Sequence, residues 1–389
     1  MHLILFDDPV DRIRLYPLTL TRPISSLRLG ILTIAEKWRM YLPEASVEVD
    51  TESYLKDKFG VIGSTSRDTL WVNARCLPDV HFLESLKNLQ QGHSLEFDDQ
   101  LIAFRGERRE DANRSMSIVH DEDLITINKS WDLFLLNGAE IRKDYDLLTQ
   151  GRQSADISDP HTIVYGRENI FLEEGVTIRA SILNAEDGPI YIGKDAVISE
   201  GSLIRGPFAL CEGSVVSMGT KVRGDSTIGP FSKVGGEVSN SIFIGYSNKS
   251  HDGFIGNSIL GEWCNLGAGT NTSNLKNNYG PVRMWDYETE RLQSTGLQFC
   301  GLVMGDHSKS AIGTNFNTGT TVGVCANVFA AGFPGNFLPS FTWGGQRGAE
   351  VYQIDKTFET AERVMMRRNL SLSPEDKAIL TYIFEHLSY

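Results

Sequence analysis

His251 opens a stretch, HDGFIGNSILGEWCNLGAGTNTSNL, in which one imidazole is followed by isolated aliphatics, amide side chains and the small-residue run Gly267-Ala268-Gly269. An imidazole that titrates near neutrality is a ready base, and main-chain N–H groups left uncovered by small side chains are donors for a developing oxyanion. Asn265 and Asn274 add amide donors and acceptors nearby. The chemistry these residue types suit is acyl transfer to an amine or a hydroxyl. Glycine and asparagine also turn the corners of β-structures, so the pattern has to be read with its scaffold.

That scaffold is written in the preceding residues. Every sixth position from Ile192 is aliphatic: Ile192, Ile198, Ile204, Leu210, Val216, Val222, Ile228 and Val234. A helix drifts out of phase at a period of six and a flat strand alternates at two. The spacing therefore predicts a left-handed parallel β-helix of hexapeptide repeats, with three hexads to a triangular coil. The register is expected to gain two residues near Asn240 to Lys249 and to resume at Phe254, Leu260, Leu266 and Thr272. A weaker set, Ile312, Thr318, Val324 and Ala330, follows a polar segment, KNNYGPVRMWDYETERLQSTG, expected to loop out of the prism as irregular chain. Residues 18 apart stack about 5 Å apart in such coils, which sets Gly269 over His251.

Residues 1–150 lack the repeat. Short β-rich runs such as HLILF and LWVNA alternate with helix-like segments, the pattern of an α/β layered domain, and SWDLFLLNGAEIRKDYDLL reads as a linker helix. Residues 151–345 form the β-helix domain on this reading. Residues 346–389 are helical by composition, with a fresh start at Ser373-Pro374-Glu375, and are expected to pack on the prism.

The motif at His251 resembles the acetyltransferase signature of the bifunctional N-acetylglucosamine-1-phosphate uridylyltransferase/glucosamine-1-phosphate acetyltransferase family, and GLVMGDHSKSAIGTNFNTG is similar to a segment of the related sugar-1-phosphate nucleotidyltransferase/acetyltransferases. The resemblance implies that His251 deprotonates the attacking amine, that Asn265 and the Ala268 main chain hold the acetyl thioester, and that Asn274 holds the acceptor sugar. It implies acetyl-CoA as donor, an amino-sugar phosphate as acceptor, and a homotrimer whose neighbouring prisms share the site. Phe254 stands where the family has tyrosine, and Gly235 and Ser239 stand where it grips the acceptor phosphate. Lys249, Lys233, Lys276 and Arg283 are the substitutes at hand.

The first domain resembles a sugar-1-phosphate nucleotidyltransferase, Rossmann-like in fold. RLYPLTLTRPI matches the run after that family's first strand, which makes Arg14 and Arg22 the candidate nucleotide-binding residues and UTP or another nucleoside triphosphate the implied substrate. Asp7-Asp8-Pro9 replaces the glycine-rich phosphate loop, and Ala74-Arg75 replaces the acidic pair for magnesium. Asp7, Asp8 and Asp79 remain as acids for Mg2+.

A net charge of -13 argues against nucleic acid as a partner. Five scattered cysteines without a CxxC pair encode neither a zinc knuckle nor a disulfide framework. No apolar run reaches membrane-spanning length, and the expectation is a cytoplasmic protein. A zinc-dependent anhydrase on the same scaffold needs three histidines, whereas His251 and His307 stand 56 residues apart with no close partner. The competing class is a non-catalytic module, a β-helix trimer used as scaffold or to bind sugar nucleotides.

Overall fold

The computed structural model describes residues 2–60, 62–112, 116–121, 123–346 and 349–387. The run HLILF becomes the strand His2–Phe6, flanked in parallel by Ser46–Asp50 and Leu70–Asn73. The sheet continues through antiparallel Gln100–Arg105 and Ser94–Phe97 and ends on Ser117–Val119. Helices Ile34–Tyr41 and Val80–Asn88 bury Trp38, Phe82 and Leu86 in its core. The first half is thus the α/β layered unit expected. The helix Asp132–Thr149 leads out of it and ties the halves together: Asn137 donates to the Asp225 carbonyl at 2.9 Å, while Glu140 and Asp144 both pair with buried Lys37.

The second half is a left-handed parallel β-helix. Ile192 pairs with Leu210 and Leu210 with Ile228, while Ile198, Val216 and Val234 form a second column, each step 18 residues. All eight repeated aliphatics are buried, forming with their neighbours one continuous apolar interior.

Beyond Val234 the register differs from the expectation in direction. The coil shortens: Val234 pairs with Lys249 and Ile228 with Phe243, steps of 15 residues, after which Val238 pairs with Ile255 and Phe243 with Leu260, steps of 17. Two glycines permit the short cut. A Cβ on Gly235 would lie 2.3 Å from the Ser250 carbonyl oxygen, and one on Gly236 would lie 2.4 Å from that of Gly253. Leu260, Leu266 and Thr272 face inward as expected, but Ile255 is the interior residue and Phe254 points outward, partly exposed.

The later hexads are also phased differently. Ile312 is 79% exposed and Ala330 is exposed, while Met304, Phe316, Val322 and Val328 fill the interior and Ser310 stacks between Leu266 and Val328. The cause is the inserted segment, which stretches the step from Leu266 to Ser310 to 44 residues. It is a regular antiparallel hairpin, Arg283–Asp286 with Arg291–Ser294, rather than irregular chain. Its Met284, with Val282 just before, enters the core of the first half, and Asp286 and Glu288 pair with Lys129 and Arg14.

The chain ends on helices Ile354–Met366 and Pro374–His386, the second opened by a reciprocal cap between Ser373 and Asp376 with Pro374 in its first turn. Met365, Ile379, Leu380 and Ile383 pack against Val324 and Phe341 of the prism and against Tyr16, Leu20 and Leu55 of the first half, so the helices seal the seam. All five cysteines are free and buried. Among the described residues no helix is long and apolar enough to cross a membrane.

Candidate active site

From Phe231 onward the coils turn one corner on non-glycine residues with positive φ, namely Phe231, Tyr246, Trp263, His307, Cys325 and Phe341 in succession. Phe231, Tyr246 and Trp263 stack ring on ring there, with centroids 5.2 and 4.3 Å apart. Across the next face lies the corner that carries His251. The 17-residue step places Ala268, rather than Gly269, over His251: the Gly269 N–H donates to the Asp252 carbonyl at 3.0 Å. The Ala268 carbonyl accepts from the Gly313 N–H at 2.7 Å, and the Thr270 hydroxyl bonds the Gly267 carbonyl at 2.6 Å, fixing this corner from both sides. His251 is exposed above the prism wall.

On the face between the two corners, Lys233, Asn248, Asn265 and Lys309 stand in one column of paired strands. They floor a cavity of about 610 Å³ that also reaches His251, Tyr246 and Trp263, and Thr360, Val364, Arg367 and Arg368 roof it. Arg368 is anchored by donating to the Phe231 carbonyl at 2.8 Å. Burial lowers the pKa of Lys309, whose ammonium donates to the His307 carbonyl at 2.7 Å. The cavity therefore joins a solvent-facing imidazole, two amides and four cationic side chains, a set suited to a ligand with several phosphates.

The sequence candidates fall into separate places. His251, Asn265 and Ala268 gather at one corner and its face. Phe254 and Asn274 meet on the following face, where a Cβ on Gly256 would lie 2.5 Å from the Phe254 ring and 2.7 Å from the Asn274 amide nitrogen. Asn274 is oriented by donating to the Asn257 side-chain Oδ1 at 2.8 Å. Lys249 lies inside the prism, 1% exposed, and is not placed to grip a ligand. A count that follows aliphatics has no means of flagging a lysine at an inward position. Lys309, Arg367 and Arg368 lie outside the motif at His251, and the basic pair in RVMMRR reads equally well as a solvated helix face.

His307 is buried, with its ring near-parallel to Trp263 at 6.3 Å. Burial, with Lys309 adding repulsion, drives its pKa down from 6.5 to about 3. Between those values the unfolded chain binds a proton that the native chain refuses, so stability falls as the pH drops through that window. His307→Phe is expected to flatten the acid limb of Tm plotted against pH; a limb as steep as the parent's would contradict this.

In the first half a cavity of about 400 Å³ opens where Phe6 and Asn73 end their strands, the side of an open α/β sheet on which ligands bind. Asp8, Asp11, Arg14 and Arg109 line it. Arg14 bonds Glu288 of the hairpin at 2.8 and 3.3 Å. Arg22 is buried and closed off: it pairs with Asp306, and with Glu262 at 3.1 Å, and so joins the two halves rather than facing a ligand. The acids do not converge. Asp7 is tied to Arg12 at 2.7 Å inside the core, while Asp8 and Asp79 cap helices by accepting from the Val10 and Phe82 N–H groups. Among the described residues no three or more His, Cys, Asp or Glu side chains cluster to hold a metal; of the three candidate acids Asp8 alone lines the cavity, beside Asp11.

The family model described as sugar nucleotidyl transferase matches residues 3–153. The match lies wholly within the first half, which is nucleotidyltransferase-like. Over 298 residues the chain is 26% identical to the bifunctional protein GlmU of Methanocaldococcus jannaschii, a match taking in 71% of this chain and 66% of that one. It is 26% identical over 181 residues to a bifunctional sugar-1-phosphate nucleotidylyltransferase/acetyltransferase of Sulfurisphaera tokodaii, covering 45% and 44%. It is 34% identical over 87 residues to the bifunctional protein GlmU of Methanococcus aeolicus, covering 22% and 20%. The chain thus spans just under two thirds of the first of these relatives and less of the others. The resemblance to bifunctional nucleotidyltransferase/acetyltransferases is borne out by these matches.

Proposed function

We propose that the protein is an acetyl-CoA-dependent N-acetyltransferase acting on an amino-sugar 1-phosphate of the glucosamine 1-phosphate type, joined to a sugar nucleotidyl transferase domain. The observation that carries the reading is the corner itself: an exposed imidazole one coil below the Ala268 main chain, at the edge of a cavity with four cations. His251 takes the proton of the acceptor amine as its nitrogen attacks the thioester carbonyl. The C–N bond forms, the C–S bond breaks, and the departing thiolate takes up a proton to leave as coenzyme A. Asn265 and the main chain at Ala268 serve the developing oxyanion, with Phe254 and Asn274 beside the sugar. Lys233, Lys309, Arg367 and Arg368 answer the phosphates of the coenzyme.

Met218 and Ile312 flank the His251 corner along the prism and are 74% and 79% exposed, which supports a second and third copy closing the groove as a homotrimer. Free buried cysteines and a coenzyme A substrate suit the cytoplasm. For the first half, Arg14 and Arg109 support binding of a sugar nucleotide or UTP, and Asp8 and Asp11 beside them are the acids at hand for a Mg2+ carried on its phosphates.

Incubating the protein with acetyl-CoA and glucosamine 1-phosphate and following free thiol tests this. Turnover is expected, and the absence of thiol release with every hexosamine phosphate tried would sink the reading. Replacing Arg367 and Arg368 together by alanine should raise KM for acetyl-CoA roughly tenfold or more with kcat little changed, the signature of lost ground-state binding.

A further inference from the structure

Lys249 occupies a place where the neighbouring coils carry Val234 and Leu266. It is 1% exposed, and no carboxylate lies within ion-pair distance among the described residues. Its ammonium donates to two main-chain oxygens, that of His251 at 2.7 Å and that of Gly235 at 3.2 Å. Burial lowers its pKa to about 8.

A charged group so placed carries a desolvation cost that an apolar side chain would avoid, offset here by the two carbonyls that accept from it. The main chain explains what the ammonium does. At this coil the ladder is cut short, and the next coil above bonds the Asp252 carbonyl through the Gly269 N–H. The His251 carbonyl faces the lysine in the interior, where a carbonyl without a donor is costly. One side chain thus pins the His251 corner to the corner beneath it.

We propose that Lys249 is a positioning residue for His251, holding from inside the prism the backbone corner that presents the imidazole to the cavity. The proposal rests on the acetyl-transfer reading for its activity arm only. With methionine at this position the interior stays filled but the corner loses its donor, and the imidazole samples orientations away from Ala268. Turnover should then fall further than the small loss of stability accounts for, as expected where a buried polar group is kept for function.

The test compares the full-length parent with Lys249→Met and His251→Ala, using acetyl-CoA and glucosamine 1-phosphate. Lys249→Met is expected to lower Tm by no more than a few degrees, to lower kcat about 10- to 100-fold, and to leave both KM values within about twofold. In the NMR spectrum the His251 ring signal, assigned by its loss in His251→Ala, should shift and broaden in Lys249→Met. Unchanged kcat together with an unchanged ring signal would overturn the proposal, and so would loss of activity that merely follows a collapse of Tm. If the parent transfers no acetyl group, the function reading fails by itself and the ring signal still decides the role of Lys249.

Discussion

Replacing His251 by alanine is expected to slow acetyl transfer by two to four orders of magnitude, the range that a positioned general base commonly contributes. The fold should hardly notice. The side chain is exposed, it carries no described ion pair, and substitutions at such surface sites usually stay within about 0.5 kcal/mol. KM for acetyl-CoA should change little, because the cations of the cavity remain. A variant that releases thiol as fast as the parent would remove the base from the mechanism and leave the small-residue corner without a chemical role. Asn265→Ala offers a graded comparison at the same site, since losing one oxyanion donor typically costs a factor of about 100 to 1,000 in kcat.

The largest stability effect is expected at Arg22. Burial works against its charge, and Asp306 and Glu262 more than offset this, so the guanidinium is held firmly protonated. Asp306 also accepts from the Thr21 hydroxyl at 2.7 Å and from the Glu262 N–H at 2.8 Å, so the cluster fastens the loop after the short helix Pro9–Arg14 to two successive coils. Arg22→Ala leaves the Asp306 carboxylate buried and unpaired by its cation, a change that costs about 3–5 kcal/mol in comparable buried pairs. Urea unfolding should show a lower midpoint. Asp306→Asn in the same chain should recover part of the loss, because the pair couples. An unfolding free energy within about 0.5 kcal/mol of the parent's would mean that the arginine is dispensable to the joint and free for another role.

Much of this architecture can be read in the chain because one physical rule, an aliphatic at every sixth place, holds without exception from Ile192 to Val234. The rule fails where something other than hydrophobicity sets the register. Gly235 and Gly236 shorten a coil by allowing close backbone contact, and no hydrophobic count registers that. The hairpin after Thr272 restarts the phase by an amount its length alone does not disclose, which is why Ile312 looks inward in sequence and lies outside in space. At the site, His251, Asn265 and Ala268 are legible because local spacing brings them together. Arg22 and Lys249 are not, because their roles depend on Asp306, 284 residues away, and on a carbonyl turned indoors.

The core of the first half takes in Ile242, Ile244, Ile259 and Val303 from the β-helix together with Met284 from the hairpin. Although the chain is laid out as consecutive modules, its cohesion is not modular. A truncation after the linker helix would expose those apolar side chains to water and strip the sheet of part of its own lining. Either piece, made alone, should come out of the cell as aggregate, and an evolutionary exchange of one half for a foreign relative would have to redesign the lining along with the swap.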